Sequence, residues 1–162
     1  MKILFVCLGN ICRSAAAEAV LKAKLQLAEL MVEVDSAGTG AYHVGEMADD
    51  RMCQAALRRG YRITSISRQI TQQDLAEFNW IVTMDDCNYQ HVWRMFTDAA
   101  DRTKLYRLVD FCQCFKRSAV PDPYYGDADG FNLVLDILED GCDGMVGRLQ
   151  EASRTQKNGY FF

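Results

Sequence analysis

The sequence predicts an α/β fold in which a four-stranded parallel sheet, with strand order 2-1-3-4, is covered by helices on both faces. Four short strand-like runs, at residues 3–6, 32–35, 80–84 and 104–109, alternate with segments of helical periodicity. This alternation is typical of parallel strands joined by helical crossovers. The run at residues 3–6 is unbroken by polar residues, which indicates a strand buried on both faces at the centre of the sheet.

The helical segments have recognisable apolar stripes or end signals. Residues 15–27 have an apolar stripe, residues 49–59 end at Gly60, and Thr71 with Asp74 forms an acidic capping box for a helix through Phe78. A fourth helix follows Asp85 or Asp86, and the last predicted helix has a long apolar stripe over residues 131–149. We therefore expect one domain over residues 1–152 and a polar C-terminal tail over residues 153–162, which ends in three aromatic residues.

Charge and cysteine content restrict the partners. A net charge of −4 gives no general attraction for nucleic acid or acidic membranes, so any anion site must be local. The N-terminal apolar run is far shorter than the roughly 18 residues of a membrane span. Seven cysteines, an odd number without a secretory signal, favour reduced thiols and a cytoplasmic protein.

The first strand leads into residues 7–14, with the sequence CLGNICRS, and then into the first helix. A strand that turns tightly at Gly9 into a helix N-terminus forms a concave set of backbone N–H groups, which binds a tetrahedral dianion. Arg13 offers a planar fork for two oxygens of such an anion, and with the helix dipole it favours the thiolate form of Cys7. Ser14 can donate its hydroxyl to that sulfur.

The Cys-x5-Arg spacing alone is a weak signal, because the chain contains it three times. The copy at Cys53 has no glycine and lies in a helical stretch. The copy at Cys142 has Asp143 in the would-be loop, where it would repel phosphate. Only the copy at Cys7 has the strand, the glycine turn and the helix in order.

The long connection at residues 110–130 holds both prolines, Pro121 and Pro123, on either side of Asp122. Their fixed φ angles hold the carboxyl group in one direction. Cleavage of a phosphate ester by a thiolate needs an acid to protonate the leaving oxygen. We therefore expect Asp122 to be the general acid and afterwards the base that activates water.

The loop at residues 6–14 resembles the active-site loop of the low-molecular-weight protein tyrosine phosphatases. The DSAGT stretch at residues 35–39, Met84 with Asp85, and DPYYG at residues 122–126 resemble further signatures of that family, in the same order. The resemblance extends to about Leu149. Ala15 replaces a usual proline, and because alanine forms helices well we expect little consequence.

The resemblance implies a phosphatase that hydrolyses phosphotyrosine in proteins, or small aryl phosphates, through a phosphocysteine intermediate. Its catalytic residues are Cys7, Arg13 and Asp122. The other implied site residues fall into four groups: phosphate binding by Leu8, Gly9, Asn10, Ile11, Cys12, Arg13 and Ser14; support by Ser14, Ser36 and Asp85; a substrate slot of Leu8, Tyr42, Tyr124 and Tyr125; and redox protection of Cys7 by Cys12.

Three further expectations concern metals and supporting contacts. The two histidines, His43 and His91, are too far apart in sequence for a local metal motif. His43 is an isolated histidine in a loop, and we expect it to be structural or exposed. We expect no metal and no cofactor. Ser65 lies about where some family members carry a histidine that supports the loop asparagine, so that contact is expected to be missing or replaced.

Alternative functions stay open at this point. An arsenate reductase of the same fold would need a further cysteine, for which Cys87 is the candidate. A sugar-phosphotransferase subunit would lack Arg13, and a non-enzymatic binding module or redox sensor would be expected to have lost Cys7 or Asp122. Relatives selective for phosphoarginine resemble this loop with threonine in place of Ile11, and an apolar residue there fits a tyrosine phosphatase better.

Overall fold

The structure, a computed structural model, describes residues 1–158 of the chain. The aromatic end at residues 160–162, whose role the sequence leaves open, lies outside the described residues. Within them, the helices and strands form a single parallel α/β unit.

The predicted sheet and its strand order are confirmed. The central strand β1 pairs with β2 on one side and β3 on the other, and β4 pairs with β3, all in parallel. The order is therefore β2-β1-β3-β4. The strands are β1 (Lys2–Cys7), β2 (Glu33–Gly38), β3 (Trp80–Thr83) and β4 (Leu105–Arg107).

Strand β2 extends beyond the predicted end at residue 35 and continues to Gly38. Ser36 lies opposite Phe5, and Gly38 lies opposite Cys7 in the ladder. A Cβ atom on Gly38 would lie 2.7 Å from the carbonyl oxygen of Leu8, so only glycine lets the two chains approach this closely. Pairing with β1 thus outweighs the local turn propensity of the stretch.

Five α-helices and two short 3-10 helices complete the described fold. The 3-10 helices, at Ala100–Lys104 and Leu108–Phe111, flank β4, which is therefore shorter than the strand predicted at residues 104–109. The α-helices are α1 (Arg13–Leu27), α2 (Asp50–Arg58), α3 (Gln72–Glu77), α4 (Asp86–Met95) and α5 (Ala128–Asn158).

Helices cover both faces of the sheet, as predicted. Ile3 and Phe5 of β1 belong to a core cluster shared with α1, α2 and α5. Leu4 and Val6 point the other way, because side chains alternate along a strand, and pack in a second cluster with α3 and α4. β1 is therefore buried on both faces, which explains its unbroken apolar sequence.

Helix α5 packs against the 3-10 turn that follows β4. A Cβ atom on Gly144 would lie 2.0 Å from the carbonyl oxygen of Phe111, so this glycine permits a close contact that a side chain would block. Helix α5 begins before the predicted residue 131 and ends after the predicted residue 149. The boundary expected at residue 152 falls inside this helix, and the division into domain and tail stays a prediction.

No helix within residues 1–158 is both long enough and apolar enough to cross a membrane.

Candidate active site

The loop that carries the CLGNICRS sequence joins the carboxyl end of β1 to the N-terminus of α1. β1 lies between β2 and β3, so the loop opens at the point where the strand order reverses, where open α/β sheets bind ligands. The other two Cys-x5-Arg copies have no such setting, because Cys53 lies in α2 and Cys142 in α5.

The carbonyl groups of this loop are held from outside. The oxygens of four loop residues accept hydrogen bonds of 2.8–3.0 Å from groups on neighbouring segments: Cys7 from Thr39 N, Leu8 from Gly40 N, Gly9 from Ser67 Oγ and Ile11 from Asp49 N. In a planar trans peptide the N–H points opposite to the C=O. The N–H groups of residues 8, 9, 10 and 12 are therefore turned inward, as an anion cradle requires.

The position of Cys7 agrees with this orientation. Its sulfur accepts a hydrogen bond from the backbone N–H of Asn10 at 3.2 Å and lies 3.0 Å from the hydroxyl oxygen of Ser14. The Asn10 contact stabilises negative charge on the sulfur, and the Ser14 hydroxyl is close enough to share a hydrogen bond with it. Cys7 is thus a buried thiol at the base of the cradle.

Asn10 locks the loop through its side chain. Its backbone is in the left-handed region, with φ of 56°, and its amide nitrogen donates to the hydroxyls of Ser14 and Ser36, both at 2.9 Å. Ser36 in turn donates to the Glu18 carboxylate at 2.6 Å. The carbonyl oxygen of the Asn10 amide accepts from the backbone N–H of Arg68 at 3.0 Å, and Ser65, whose hydroxyl has no hydrogen-bond partner among the described residues, does not contact it.

Arg13 lies at the first position of α1 and is almost fully buried. Its Nη1 donates to Asp85 Oδ2 at 2.6 Å and to the carbonyl oxygen of Val120 at 3.2 Å, and its Nη2 donates to Asp122 Oδ2 at 2.8 Å. Burial opposes the charged form, but Cys7, Asp122 and Asp85 outweigh it, so the pKa of Arg13 is raised above its usual value. The guanidinium is therefore a permanent cation in the cavity that Cys7 also lines.

Two carboxylates on different elements converge on that guanidinium. Asp85 has a double role, because its Oδ1 also accepts from Asn88 N and caps α4. Asp122 lies on the connection before α5; its Oδ1 accepts from Tyr124 N at 3.1 Å, and its side chain is 43% exposed. Asp122 is therefore open to a substrate, while Asp85 is turned toward the protein.

A cavity of about 400 Å³ opens above Cys7. Its walls include all four expected slot residues, with Tyr125 the most exposed and in edge-to-face contact with Tyr124. The residues that line it are Cys7, Leu8, Gly9, Ile11, Cys12, Arg13, Tyr42, His43, Asp122, Tyr124 and Tyr125.

His43 was expected to be structural or exposed, yet it is part of this wall. Its ring lies against Gly9 and 6.2 Å from the ring of Tyr124, and its Nδ1 is 2.8 Å from Glu46 Oε2. Its position next to Tyr42 was the available sequence signal.

Cys12 lies in the same loop as Cys7 but in a different environment. Burial raises the pKa of its thiol well above the ordinary cysteine value, and the nearby Asp49, Cys7 and Asp122 raise it further. Cys12 is therefore a neutral thiol, unlike a reactive thiolate.

Residues that could hold a metal ion are not clustered in the described structure: within residues 1–158 no group of three or more histidine, cysteine or acidic side chains is placed to ligate one. The reactive side chains that line the cavity include the Cys7 thiol, the Arg13 guanidinium and the Asp122 carboxyl group.

Sequence reasoning missed several residues that hold the site together. Glu18 anchors Ser36, the carbonyl of Val120 binds Arg13, and Arg51 contacts the connection that carries Asp122. Backbone contacts leave no signal in a sequence. The Asp-x-Arg spacing at residues 49–51 was visible, but nothing local indicated its partner 73 residues away.

Known proteins resemble the chain over almost all of its length. Residues 2–156 match the family model for low molecular weight phosphotyrosine protein phosphatase. A putative low molecular weight protein-tyrosine-phosphatase of Synechocystis sp. is 43% identical over 92% of this chain and 96% of its own. A protein tyrosine phosphatase from Entamoeba histolytica, crystallised with Hepes in the active site, is 46% identical with a TM-score of 0.91, over 94% of this chain and 99% of its own.

A Drosophila arginine phosphatase shares the fold at lower identity. It is 31% identical with a TM-score of 0.84, over 92% of this chain and 98% of its own. The family match and the 43% identical relative, each covering more than nine tenths of the chain, agree with the site geometry. The chain belongs to the low molecular weight phosphotyrosine protein phosphatase family.

Proposed function

We propose that this chain hydrolyses phosphotyrosine in proteins, and small aryl phosphates, through a phosphocysteine intermediate on Cys7. The observation that carries the proposal is the position of the Arg13 guanidinium: it lines the same cavity as Cys7 and bonds the exposed Asp122 carboxyl group. A nucleophile, an anion-binding group and an acid thus meet at one cavity.

In the first step the Cys7 thiolate attacks phosphorus in line with the leaving oxygen. The P–S bond forms, the P–O bond to the aryl group breaks, and Asp122 gives its proton to the leaving phenolate. The inward N–H groups of the loop and Arg13 stabilise the charge on the three equatorial oxygens. Arg13 binds phosphate in its planar fork, and its bond to Asp122 is exchanged for bonds to phosphate oxygens.

In the second step Asp122, now a carboxylate, takes a proton from a water molecule that attacks phosphorus. The P–S bond breaks and its electron pair returns to Cys7, and inorganic phosphate leaves. Ser14 lies 3.0 Å from the sulfur and stabilises the departing thiolate.

The slot selects long substrates over short ones. Its walls include Leu8, Tyr42 and Tyr124, which offer apolar and aromatic surface to a phenyl ring. A phosphoserine is too short to place its phosphate at Cys7 and its backbone outside the walls. Substrate proteins containing phosphotyrosine are therefore the proposed partners.

Single-turnover assays test this assignment. Peptides carrying phosphotyrosine, phosphoserine or phosphoarginine are mixed with excess wild-type protein, Cys7→Ser or Asp122→Ala. Cys114→Ser, at an exposed cysteine, and Asp127→Ala, at an acidic residue of the same connection, are matched controls. We expect a phosphotyrosine burst that Cys7→Ser abolishes, that Asp122→Ala slows by about 10²–10⁴-fold for poor leaving groups, and that the controls keep.

Two results would contradict the proposal. Faster turnover of phosphoarginine than of phosphotyrosine would assign the activity of the Drosophila neighbour, despite the apolar Ile11 in the cavity wall. If the protein hydrolyses no phosphoester and instead shows arsenate-dependent thiol oxidation, it is an arsenate reductase, and Cys87 is the candidate for the further cysteine that such an enzyme needs.

We also propose that Cys12 protects Cys7 in a cytoplasmic, reducing environment. Oxidation by peroxide converts Cys7 to a sulfenic acid. The Cys12 thiol loses its proton as its sulfur attacks that of Cys7, the S–S bond forms, and the hydroxyl group of the sulfenic acid leaves with that proton as water. Seven free cysteines support the reducing environment. Mass spectrometry after peroxide treatment tests the disulfide, which Cys12→Ser should prevent.

A further inference from the structure

Arg51, in the first turn of α2, makes contacts in two directions. Its guanidinium binds the Asp49 carboxylate at both oxygens, with Nε to Oδ1 at 3.0 Å and Nη2 to Oδ2 at 2.8 Å. The same Nη2 donates to the carbonyl oxygen of Tyr124 at 3.1 Å. The guanidinium also lies over the rings of Tyr124 and Phe131, at 5.5 and 4.9 Å from their centroids.

On one side this contact leads to the phosphate-binding loop. The backbone N–H of Asp49 donates to the carbonyl oxygen of Ile11 at 2.8 Å, and the Asp49 side chain, only 12% exposed, caps α2 through Arg51 N. Asp49 is therefore fixed to the loop that holds the nucleophile. Because two bonds join it to Arg51, it fixes the guanidinium as well.

On the other side the contact leads to the general acid. The backbone N–H of Tyr124 donates to Asp122 Oδ1 at 3.1 Å, and the backbone carbonyl of the same residue accepts from Arg51. Asp122 Oδ2 accepts a hydrogen bond from Arg13 Nη2 at 2.8 Å. When a substrate phosphate takes up the Arg13 fork, Tyr124 N–H is the contact of the described structure that still orients the Asp122 carboxyl group.

We propose that Arg51, oriented by Asp49, is a positioning residue for the general acid, holding the Tyr124 backbone so that Asp122 faces the leaving oxygen in the phosphate-bound state. The inference rests on the proposed phosphocysteine mechanism. Arg51 contacts the connection that carries Asp122, so its role belongs to protonation of the leaving oxygen and not to phosphate binding.

A leaving-group series separates these roles. Phosphocysteine formation is measured in single turnovers with 4-nitrophenyl phosphate, whose phenolate needs little protonation, and with phenyl phosphate and a phosphotyrosine peptide, whose phenolates need it. We expect Arg51→Ala to slow the last two by about tenfold, part of the 10²–10⁴-fold worth of a general acid, and to slow 4-nitrophenyl phosphate by less than about threefold. The inhibition constant of inorganic phosphate as a competitive inhibitor should change by less than about twofold in Arg51→Ala.

Two further variants and a matched control complete the design. Arg51→Lys keeps the charge but cannot bond both Asp49 oxygens and the Tyr124 carbonyl together, so its loss should be intermediate. Arg58→Ala removes an exposed arginine from the last turn of the same helix and should behave as wild type. In an Asp122→Ala background, Arg51→Ala should add no further loss, because the group that it positions is gone.

The inference is overturned if Arg51→Ala slows all substrates equally, weakens phosphate inhibition, or adds its full effect on top of Asp122→Ala. It is also overturned if Arg58→Ala reproduces the leaving-group dependence. A wild-type protein that forms no phosphocysteine from any aryl phosphate would overturn the proposed function itself, and that result is recognisable before any variant is made.

Discussion

Asn10 is expected to contribute more to stability than any ordinary loop residue. Its buried side chain makes three hydrogen bonds, to Ser14, to Ser36 and from the backbone of Arg68. At about 1 kcal/mol each, their loss in Asn10→Ala lowers the free energy of unfolding by about 3 kcal/mol. Alanine at φ of 56° adds strain of about 1 kcal/mol, for a total of about 4 kcal/mol.

Glycine at the same position separates the two contributions. It adopts a positive φ freely, so Asn10→Gly should lose only about 3 kcal/mol and be more stable than Asn10→Ala. Urea denaturation measures the free energy of unfolding of both variants. With an m value of about 2 kcal/mol/M, the midpoint should fall by about 1.5 M in Asn10→Gly and by about 2 M in Asn10→Ala. Asn79→Ala is the control, because Asn79 accepts one exposed hydrogen bond from Lys2 N and should lose less than about 1 kcal/mol.

Two results would refute this reasoning. If alanine and glycine lose the same free energy, the left-handed backbone carries no strain at residue 10. If both lose as little as Asn79→Ala, the three bonds are replaced by water at no cost, and the loop is not locked by its asparagine.

Three further predictions concern other parts of the molecule. Burial works against the charged form of Asp140, but hydrogen bonds from three backbone N–H groups outweigh it and lower the pKa of this carboxyl group. Its contribution to stability should therefore be complete above the pKa of about 3.9 that an aspartate has in the unfolded chain, and should be lost as the pH falls below that value. The urea midpoint should then fall more between pH 7 and pH 3 in the wild type than in Asp140→Asn. An equal difference would contradict this. Gly144→Ala should destabilise the folded protein, because the new Cβ atom would lie 2.0 Å from a backbone oxygen. Gly147→Ala, with open space around its Cβ atom, should stabilise it by up to about 1 kcal/mol. If the denaturation midpoints of the two variants move in the same direction, the packing argument is wrong. Iodoacetamide near neutral pH should alkylate Cys7 and leave Cys12 unmodified, because burial holds the Cys12 pKa high, and a peptide map showing the reverse would contradict the assigned nucleophile.

The sheet order and the loop that carries Cys7 after β1 were predictable because their signals are local. The apolar run before Cys7, the glycine and the helix that follows lie within a single stretch of sequence, and the alternation of strands and helices fixed the topology. The extension of β2 to Gly38 was missed since it depends on pairing with β1, a non-local interaction that overrides turn propensity.

The contacts that assemble the site were only partly predictable. Asp85 was expected as a cap or as a site residue, and the structure gives it both contacts. Arg51 was not found, because a helix-start arginine looks like an ordinary surface residue until its distant partner is known. Residue chemistry thus predicted which groups meet at the cavity, while three-dimensional packing was needed to show which groups hold them.

The bonds made by Arg13 have a consequence for folding. Its two carboxylate partners lie 72 and 109 positions along the chain, so neither bond exists until β3 and the connection before α5 have docked. Contacts of such long sequence separation form slowly and late. During refolding, catalytic activity should therefore return after the circular dichroism signal of the helices has recovered. The return of activity then marks the formation of the last long-range contacts of the fold.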